Sequence, residues 1–312
     1  MHILITGGCG YTGTLLTNDL LEKGHKVTVV DTQWFGNYLK KKKNLKIIKK
    51  DIRVIDQVSF KNVDTVVHLA NIANDPSVEL NPNLSWEVNV LATKRLIEKS
   101  IECKVKHFIF ASSGSVYGIK KEKNVTEDLS LVPISTYNKT KMVAERVLKS
   151  YDKQIKIHSI RPATVCGYSP RMRLDVSVNM LTFQALKKKM ITVFGGRQIR
   201  PNIHIKDLIN VYKHFIFNKN IPSGFYNAGF ENLRIIDIAR KISKIIPSKI
   251  IIKKNNDPRS YRQNSNKLLA TGFKQKYSVL HAIEEIKEKY EKRKLKESLK
   301  CYTVKWMKKI KL

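Results

Sequence analysis

Gly7-Gly8-Cys9-Gly10-Tyr11-Thr12-Gly13 is the stretch that decides the fold. It follows a short apolar run at residues 2–6. It opens a segment, residues 11–21, whose apolar residues recur at helical spacing. Gly7, Gly10 and Gly13 form G-x-x-G-x-x-G, the spacing of a tight strand-to-helix turn that lets backbone approach a diphosphate closely. The helix behind such a turn offers free N–H groups and a partial positive charge to that anion. A glycine-rich turn alone is a weak signal, and the next element strengthens it. Residues 26–30 read as a second strand ending at Asp31, eighteen residues beyond Gly13. A carboxylate there accepts bonds from the adenosine ribose hydroxyls and repels a 2′-phosphate, so the expected cofactor is NAD and not NADP. Asp51-Ile52 follows a third strand, where an adenine pocket would lie.

Outward from that turn, strand-like runs at 45–49, 65–69, 107–111 and 155–161 alternate with helical patterns at 55–60, 84–104 and 137–150. Near-continuous apolar strands divided by helices are the pattern of a parallel sheet covered on both faces. The fold class expected is therefore α/β: a Rossmann-type doubly wound parallel sheet with a smaller C-terminal substrate-binding lobe. Residues 1–165 would bind the dinucleotide and carry the chemistry. Residues 166–312 would form mainly the substrate lobe, interleaved with the first. Helices are expected there at 176–187, 205–218, 235–246 and 278–292, with short strands at 192–194, 225–227 and 250–253.

A second constellation sits at the end of the run 107–111, which leads into Ser112-Ser113-Gly114-Ser115-Val116-Tyr117-Gly118. Nineteen residues later Tyr137-Asn138-Lys139-Thr140-Lys141 begins a helix, with Tyr137 and Lys141 on one face. Tyrosine is a poor base near its ordinary pKa of about 10. A neighbouring ammonium and a nicotinium ring favour the phenolate, and a serine hydroxyl opposite orients the substrate oxygen.

These motifs, with His68-Leu69-Ala70 and Ile160-Arg161-Pro162, resemble the extended short-chain dehydrogenase/reductases over roughly residues 1–290. Within these the chain is similar to the NAD-dependent epimerase/dehydratase group typified by UDP-glucose 4-epimerase. The resemblance implies catalytic roles for Ser113, Tyr137 and Lys141. It implies cofactor contacts from Gly7, Gly10, Tyr11, Thr12, Gly13, Asp31, Asp51, Ile52, Leu69, Ala70, Asn89, Tyr137, Lys141 and Pro162. Asn179 and Arg200, with Arg259 or Arg262, would meet the nucleotide and diphosphate of a nucleotide-sugar. A homodimer would form through the helices at 84–104 and 137–150. Departures matter as well. Gly114-Ser115 replaces the Asp-Glu pair of the 4,6-dehydratases, and Ser115 stands where the decarboxylases carry Glu. The expected activity is nucleotide-sugar epimerisation, at C4 of the sugar. A 4-dehydrogenase or 4-keto-reductase would use the same residues.

Composition bounds the rest. The 312 residues carry a formal net charge of +33, with 46 Lys against 13 Arg. A surface this basic attracts nucleic acid or phosphorylated ligands. Dedicated nucleic-acid binders favour Arg forks and aromatic platforms instead of dispersed Lys, so no specific nucleic-acid partner is expected. A basic, non-catalytic nucleotide-binding or nucleic-acid-associated protein is the reading from another class. No run approaches the roughly 20 apolar residues of a membrane span. Four scattered cysteines without metal-ligand spacing fit a reducing cytoplasm and no metal.

Overall fold

The computed structural model describes residues 1–254 and 260–311. In chain order the first half comprises β1 (His2–Thr6), α1 (Tyr11–Glu22), β2 (Lys26–Asp31), β3 (Leu45–Lys49), β4 (Thr65–His68), α2 (Asp75–Val78), α3 (Pro82–Trp86), α4 (Ala92–Glu102), β5 (His107–Ala111), α5 (Thr136–Lys149) and β6 (Lys156–Pro162). There follow β7 (Thr164–Cys166), α6 (Ser177–Lys188), β8 (Met190–Phe194), β9 (Ile199–His204), α7 (Ile205–Phe217), β10 (Gly224–Ala228) and β11 (Glu231–Arg234). The last are α8 (Ile235–Ile245), β12 (Lys249–Lys253), α9 (Asn266–Leu269), α10 (Val279–Glu291) and α11 (Thr303–Lys309).

Seven strands form one parallel sheet in the order β10-β6-β5-β4-β1-β2-β3. The strand order reverses between β1 and β4, and ligands of doubly wound sheets bind at that switch, beyond the carboxyl ends of the strands. Alternate side chains serve opposite faces. Ile3 and Ile5 pack with Leu16, Leu20, Tyr212 and Phe215 of α1 and α7. Leu4 packs with Leu96, Ile97, Ala144 and Leu148 of α4 and α5 on the other face. A separate core gathers Val178, Leu181, Ile191, Val193, Ile238, Ile242 and Ile283 from α6, β8, α8 and α10. Two smaller sheets, β11-β9-β7 and β12-β8, lie in this second half.

The strands and helices read from the sequence appear within a residue or two, with two informative differences. The helical pattern at 55–60 is a kinked 3₁₀ segment, Ile52–Gln57, with Val54 outside helical geometry. The helix expected at 84–104 runs as α3, a π-helical stretch Glu87–Leu91, and α4. That wide turn turns Asn89 into the interior. The two halves also interlock. β10 completes the first sheet beside β6, and α7 covers it.

Candidate active site

At the switch point the glycine turn lies against backbone. Gly7 has φ +73°, and a Cβ there would stand 2.6 Å from the Ala70 nitrogen. A Cβ on Gly13 would stand 2.2 Å from the Gly7 oxygen. α1 begins at Gly10 with no side-chain cap and no acidic residue in its first turn, so its N–H groups face outward for an anion. Gly7, Gly10, Tyr11, Thr12 and Gly13 line one wall of a cavity of about 690 Å³. That size suits a small-molecule site.

Asp31 stands on the same wall. Its carboxylate accepts bonds from the Cys9 nitrogen (2.9 Å) and the Gln33 nitrogen (2.6 Å). Burial pushes its pKa up, while those bonds and the nearby Arg171 charge act in the opposite direction. Asp51 accepts from the Arg53 nitrogen (2.8 Å) and caps the 3₁₀ segment that turns Ile52 inward. Leu69 and Ala70, after β4, continue the lining, and Pro162, at the end of β6, lines the other end of the cavity.

The reactive end is built by β5 and α5. Ser113 caps the 3₁₀ turn Gly114–Tyr117, with its Oγ 2.7 Å from Ser115 Oγ. Tyr137 enters on the first turn of α5, which Ser135 caps by accepting from the Asn138 nitrogen. Burial pushes the Tyr137 phenol up to about 12. Hydrogen bonding with Ser113 pulls it down, Asp75 adds to the rise and Arg173 opposes it. One turn on, Lys141 is 1 % exposed and donates to the Ala111 oxygen at 2.8 Å. Burial brings its pKa down to about 7, against the Glu145 charge. The three side chains thus converge at the end of β5.

Their positions are held by one buried pair. Arg161 bonds Glu145 through Nε–Oε1 and Nη2–Oε2, both at 2.8 Å, and donates to Tyr117 Oη at 2.7 Å. Tyr117 in turn donates to Asn227 on β10 at 2.8 Å. α5, the serine turn and two strands are locked together by this network.

Some expected residues serve the site from behind. Asn89 is buried, holding both the nitrogen and the oxygen of Ile72 and donating to Thr140 Oγ1. It shapes the cavity loop and does not line the cavity. Asn179, expected to meet the nucleotide, is fully buried and off the cavity wall: its amide accepts from the Gly167 nitrogen and donates to Tyr11 Oη and the Arg173 oxygen. The buried backbone of the loop 167–175 needs partners, and Asn179 supplies them. The Tyr11 phenol is likewise turned into that loop, donating to the Gly167 oxygen at 2.6 Å. Arg200 does line the cavity, stacked 5.1 Å over the Tyr261 ring. Arg262 is exposed and off the wall, and Arg259 lies outside the described residues.

Sequence reasoning missed the opposite wall. Arg171 is 4 % exposed, lies 4.1 Å over the Phe35 ring, and keeps Nε and Nη1 without a partner among the described residues. Burial and the neighbouring Arg173 lower its pKa to about 10. Arg173 bonds Asp175 at 2.8 Å. The signal was present in Pro170-Arg171-Met172-Arg173-Leu174-Asp175, which has charge but no periodicity. α11 was missed as well, whereas Trp34 and Phe35, in the loop after Asp31 expected at the site or its rim, do line the cavity.

Residues 3–229 match the model of the NAD dependent epimerase/dehydratase family. The chain belongs to that family. It is 28 % identical over 310 residues to the UDP-glucose 4-epimerase of Lactobacillus helveticus, covering 89 % of this chain and 93 % of the relative. An uncharacterized UDP-glucose epimerase of Bacillus subtilis is 34 % identical over 223 residues, covering 67 % of this chain and 70 % of its own length. The solved UDP-glucuronic acid 4-epimerase of Bacillus cereus, in complex with UDP-glucuronic acid and NAD, superposes with a TM-score of 0.81. It is 26 % identical and covers 94 % of this chain and all of that one. The cofactor of this family member is NAD, and the residues present fit it. Two turn positions exclude side chains, α1 presents an uncapped N-terminus, and a buried guanidinium lines the cavity with two nitrogens unbonded among the described residues.

Proposed function

We propose that the chain is an NAD-dependent nucleotide-sugar epimerase acting at C4 of the sugar. The observation that carries this reading is that Ser113 and Tyr137, at the end of β5, line the cavity that the glycine turn and Asp31 also line, with the buried Lys141 ammonium behind them on the Ala111 oxygen. When bound, NAD accepts a hydride from the sugar carbon and returns it. Tyr137 takes the hydroxyl proton at its Oη, and Ser113 holds the same oxygen by a hydrogen bond. Lys141 provides positive charge one helical turn away and a hydrogen bond to the nicotinamide ribose. Asp31 takes the adenosine ribose, the α1 N-terminus and Arg171 take the cofactor diphosphate, and Arg200 takes that of the sugar nucleotide.

Ser115, bonded to Ser113, leaves this turn without the carboxylate that dehydration or decarboxylation would use. The enzyme would work in the cytoplasm, where its four free cysteines stay reduced. It would work as a homodimer through α4 and α5, a contact checked by sedimentation at micromolar concentration. No helix among the described residues is long and apolar enough to cross a membrane.

The test is incubation of purified protein with UDP-, GDP-, CDP- and dTDP-sugars in heavy water, without added NAD, followed by NMR. Inversion at C4 without deuterium there, and no lasting absorbance at 340 nm, is the expected result. One equivalent of NADH with an accumulating keto-sugar would sink the reading in favour of a dehydrogenase.

A further inference from the structure

The far side of the cofactor cavity is closed by a helix outside residues 3–229, the span that matches the family. Thr303, Val304 and Met307 of α11 line the cavity together with Ile52, Ala70 and Ile72. Met307 is 3 % exposed and packs in one cluster with Ile52, Ile72, Val78, Val88 and Ala92, against Trp34 and Phe35. Thr303 and Met307, four apart, face inward, while Lys305, Lys308 and Lys309 are exposed.

Three hydrogen bonds tie this segment to different walls. Trp306 Nε1 donates to the Trp34 oxygen at 2.6 Å, in the loop after β2. The Thr303 nitrogen donates to Asp175 Oδ2 at 2.8 Å, and the Leu174 nitrogen donates to the Cys301 oxygen at 2.9 Å. Asp175 is also the partner of Arg173, so the tether continues to the cations opposite the glycine turn.

We infer that α11 is part of the cofactor site, the adenine-side wall that keeps NAD bound through successive turnovers. The group held between Asp31, Ile52 and Ala70 is the adenosine end of the dinucleotide. It leaves only if α11 moves, which breaks the bond to Trp34 and exposes Met307 to water. Slow exchange suits an enzyme that returns its hydride, whereas a dehydrogenase exchanges cofactor in every cycle. For its ligand the inference rests on the NAD-dependent reading above, and it holds whichever sugar reacts.

The experiment uses no sugar, so it can fail separately from the epimerase reading. Protein loaded with NADH is mixed with excess NAD, and release is followed by NADH fluorescence. Met307→Glu, and a chain ended at Glu297, should release NADH at least ten-fold faster than the natural chain. Affinity for UDP, a probe of the substrate side, should stay within two-fold. If those variants fold poorly, Trp306→Phe, which loses only the indole bond, should still release NADH three-fold faster. NAD should also slow trypsin cleavage after Lys305 in the natural chain at least five-fold. Release rates within two-fold of the natural chain, in variants that still bind one equivalent of NADH, would overturn the inference. So would a natural chain that, freed of any bound dinucleotide beforehand, takes up no NADH.

Discussion

Two guanidinium groups lie buried ten residues apart in this chain, in opposite circumstances. Arg161 is matched fork to fork by Glu145 and bonded to Tyr117, and those interactions hold its pKa above the ordinary arginine value despite burial. Arg171 has a phenylalanine ring beneath it, two nitrogens without partners among the described residues and a lowered pKa. A buried charge costs several kcal/mol unless it is paired and hydrogen-bonded. The first arginine meets that cost within the protein and serves as architecture. The second does not, and its side chain lines the cavity that the uncapped α1 N-terminus also lines. A satisfied buried charge marks the scaffold, and an unsatisfied one marks the place of a ligand.

The largest expected effect breaks the satisfied side. Glu145→Ala strands Arg161 in the core and should lower stability by about 3–5 kcal/mol, read from urea unfolding. A loss under about 1 kcal/mol would mean that the pair is not holding α5 to β6. Next comes the chemistry that this pair positions. Tyr137→Phe should keep the fold and bound NAD but lower turnover at least 100-fold, about 2.7 kcal/mol. Because burial pushes the phenol up, it is protonated at neutral pH before NAD binds, and turnover of the natural enzyme should rise as pH climbs above neutrality. The Phe variant should show no such rise. An unchanged slope would assign the titration to another group.

The satisfied half of the molecule was also the legible half. Apolar runs of four to six residues, each ending at a turn, mark buried parallel strands, because both faces of such a strand are covered. The Gly7–Gly13 spacing and the Tyr137–Lys141 pair each follow from a single local geometry. Beyond residue 165 the information is long-range. Arg171 belongs to no periodic segment, so nothing local distinguished it from a surface charge. Asn179 was read as a ligand residue because resemblance does not show which neighbours already occupy its amide. Asn89 points inward because a π turn interrupts the helix, which the 3.6-residue pattern does not reveal. α11 reaches the cofactor cavity from a position some 270 residues after Trp34, a contact that only the folded chain displays.

A smaller effect sharpens the division between Asp31 and Arg171. The Asp31 carboxylate should make NAD bind at least ten-fold more tightly than NADP, about 1.4 kcal/mol. Arg171 lies near enough to act on the Asp31 charge. Were its guanidinium placed for a 2′-phosphate and not for the diphosphate, that preference would vanish or reverse. Calorimetry with both dinucleotides decides between the two placements.

The smallest effect on the empty protein is the most telling. Replacing Arg161 by Met leaves Glu145 buried without its cation and should cost about 3–5 kcal/mol. The same replacement at Arg171 removes a desolvated charge with no carboxylate bonded to it and keeps an apolar stem over Phe35. Stability without NAD should therefore fall by no more than about 1 kcal/mol, since the Arg171 charge carries a desolvation cost that no bonded carboxylate offsets, and its removal loses only the longer-range attraction to Asp31 and Asp175. Affinity for NAD should fall about ten-fold, because a charge-assisted bond to the diphosphate contributes roughly 1.5–3 kcal/mol. Affinity for adenosine, which lacks the diphosphate, should not change. If Arg171→Met destabilises the empty protein as much as Arg161→Met does, Arg171 has an internal partner in solution and the contrast between the two arginines fails. If stability holds and binding of NAD and adenosine is equally unaffected, the guanidinium faces the cavity without serving the cofactor, and the diphosphate rests on the α1 N-terminus alone.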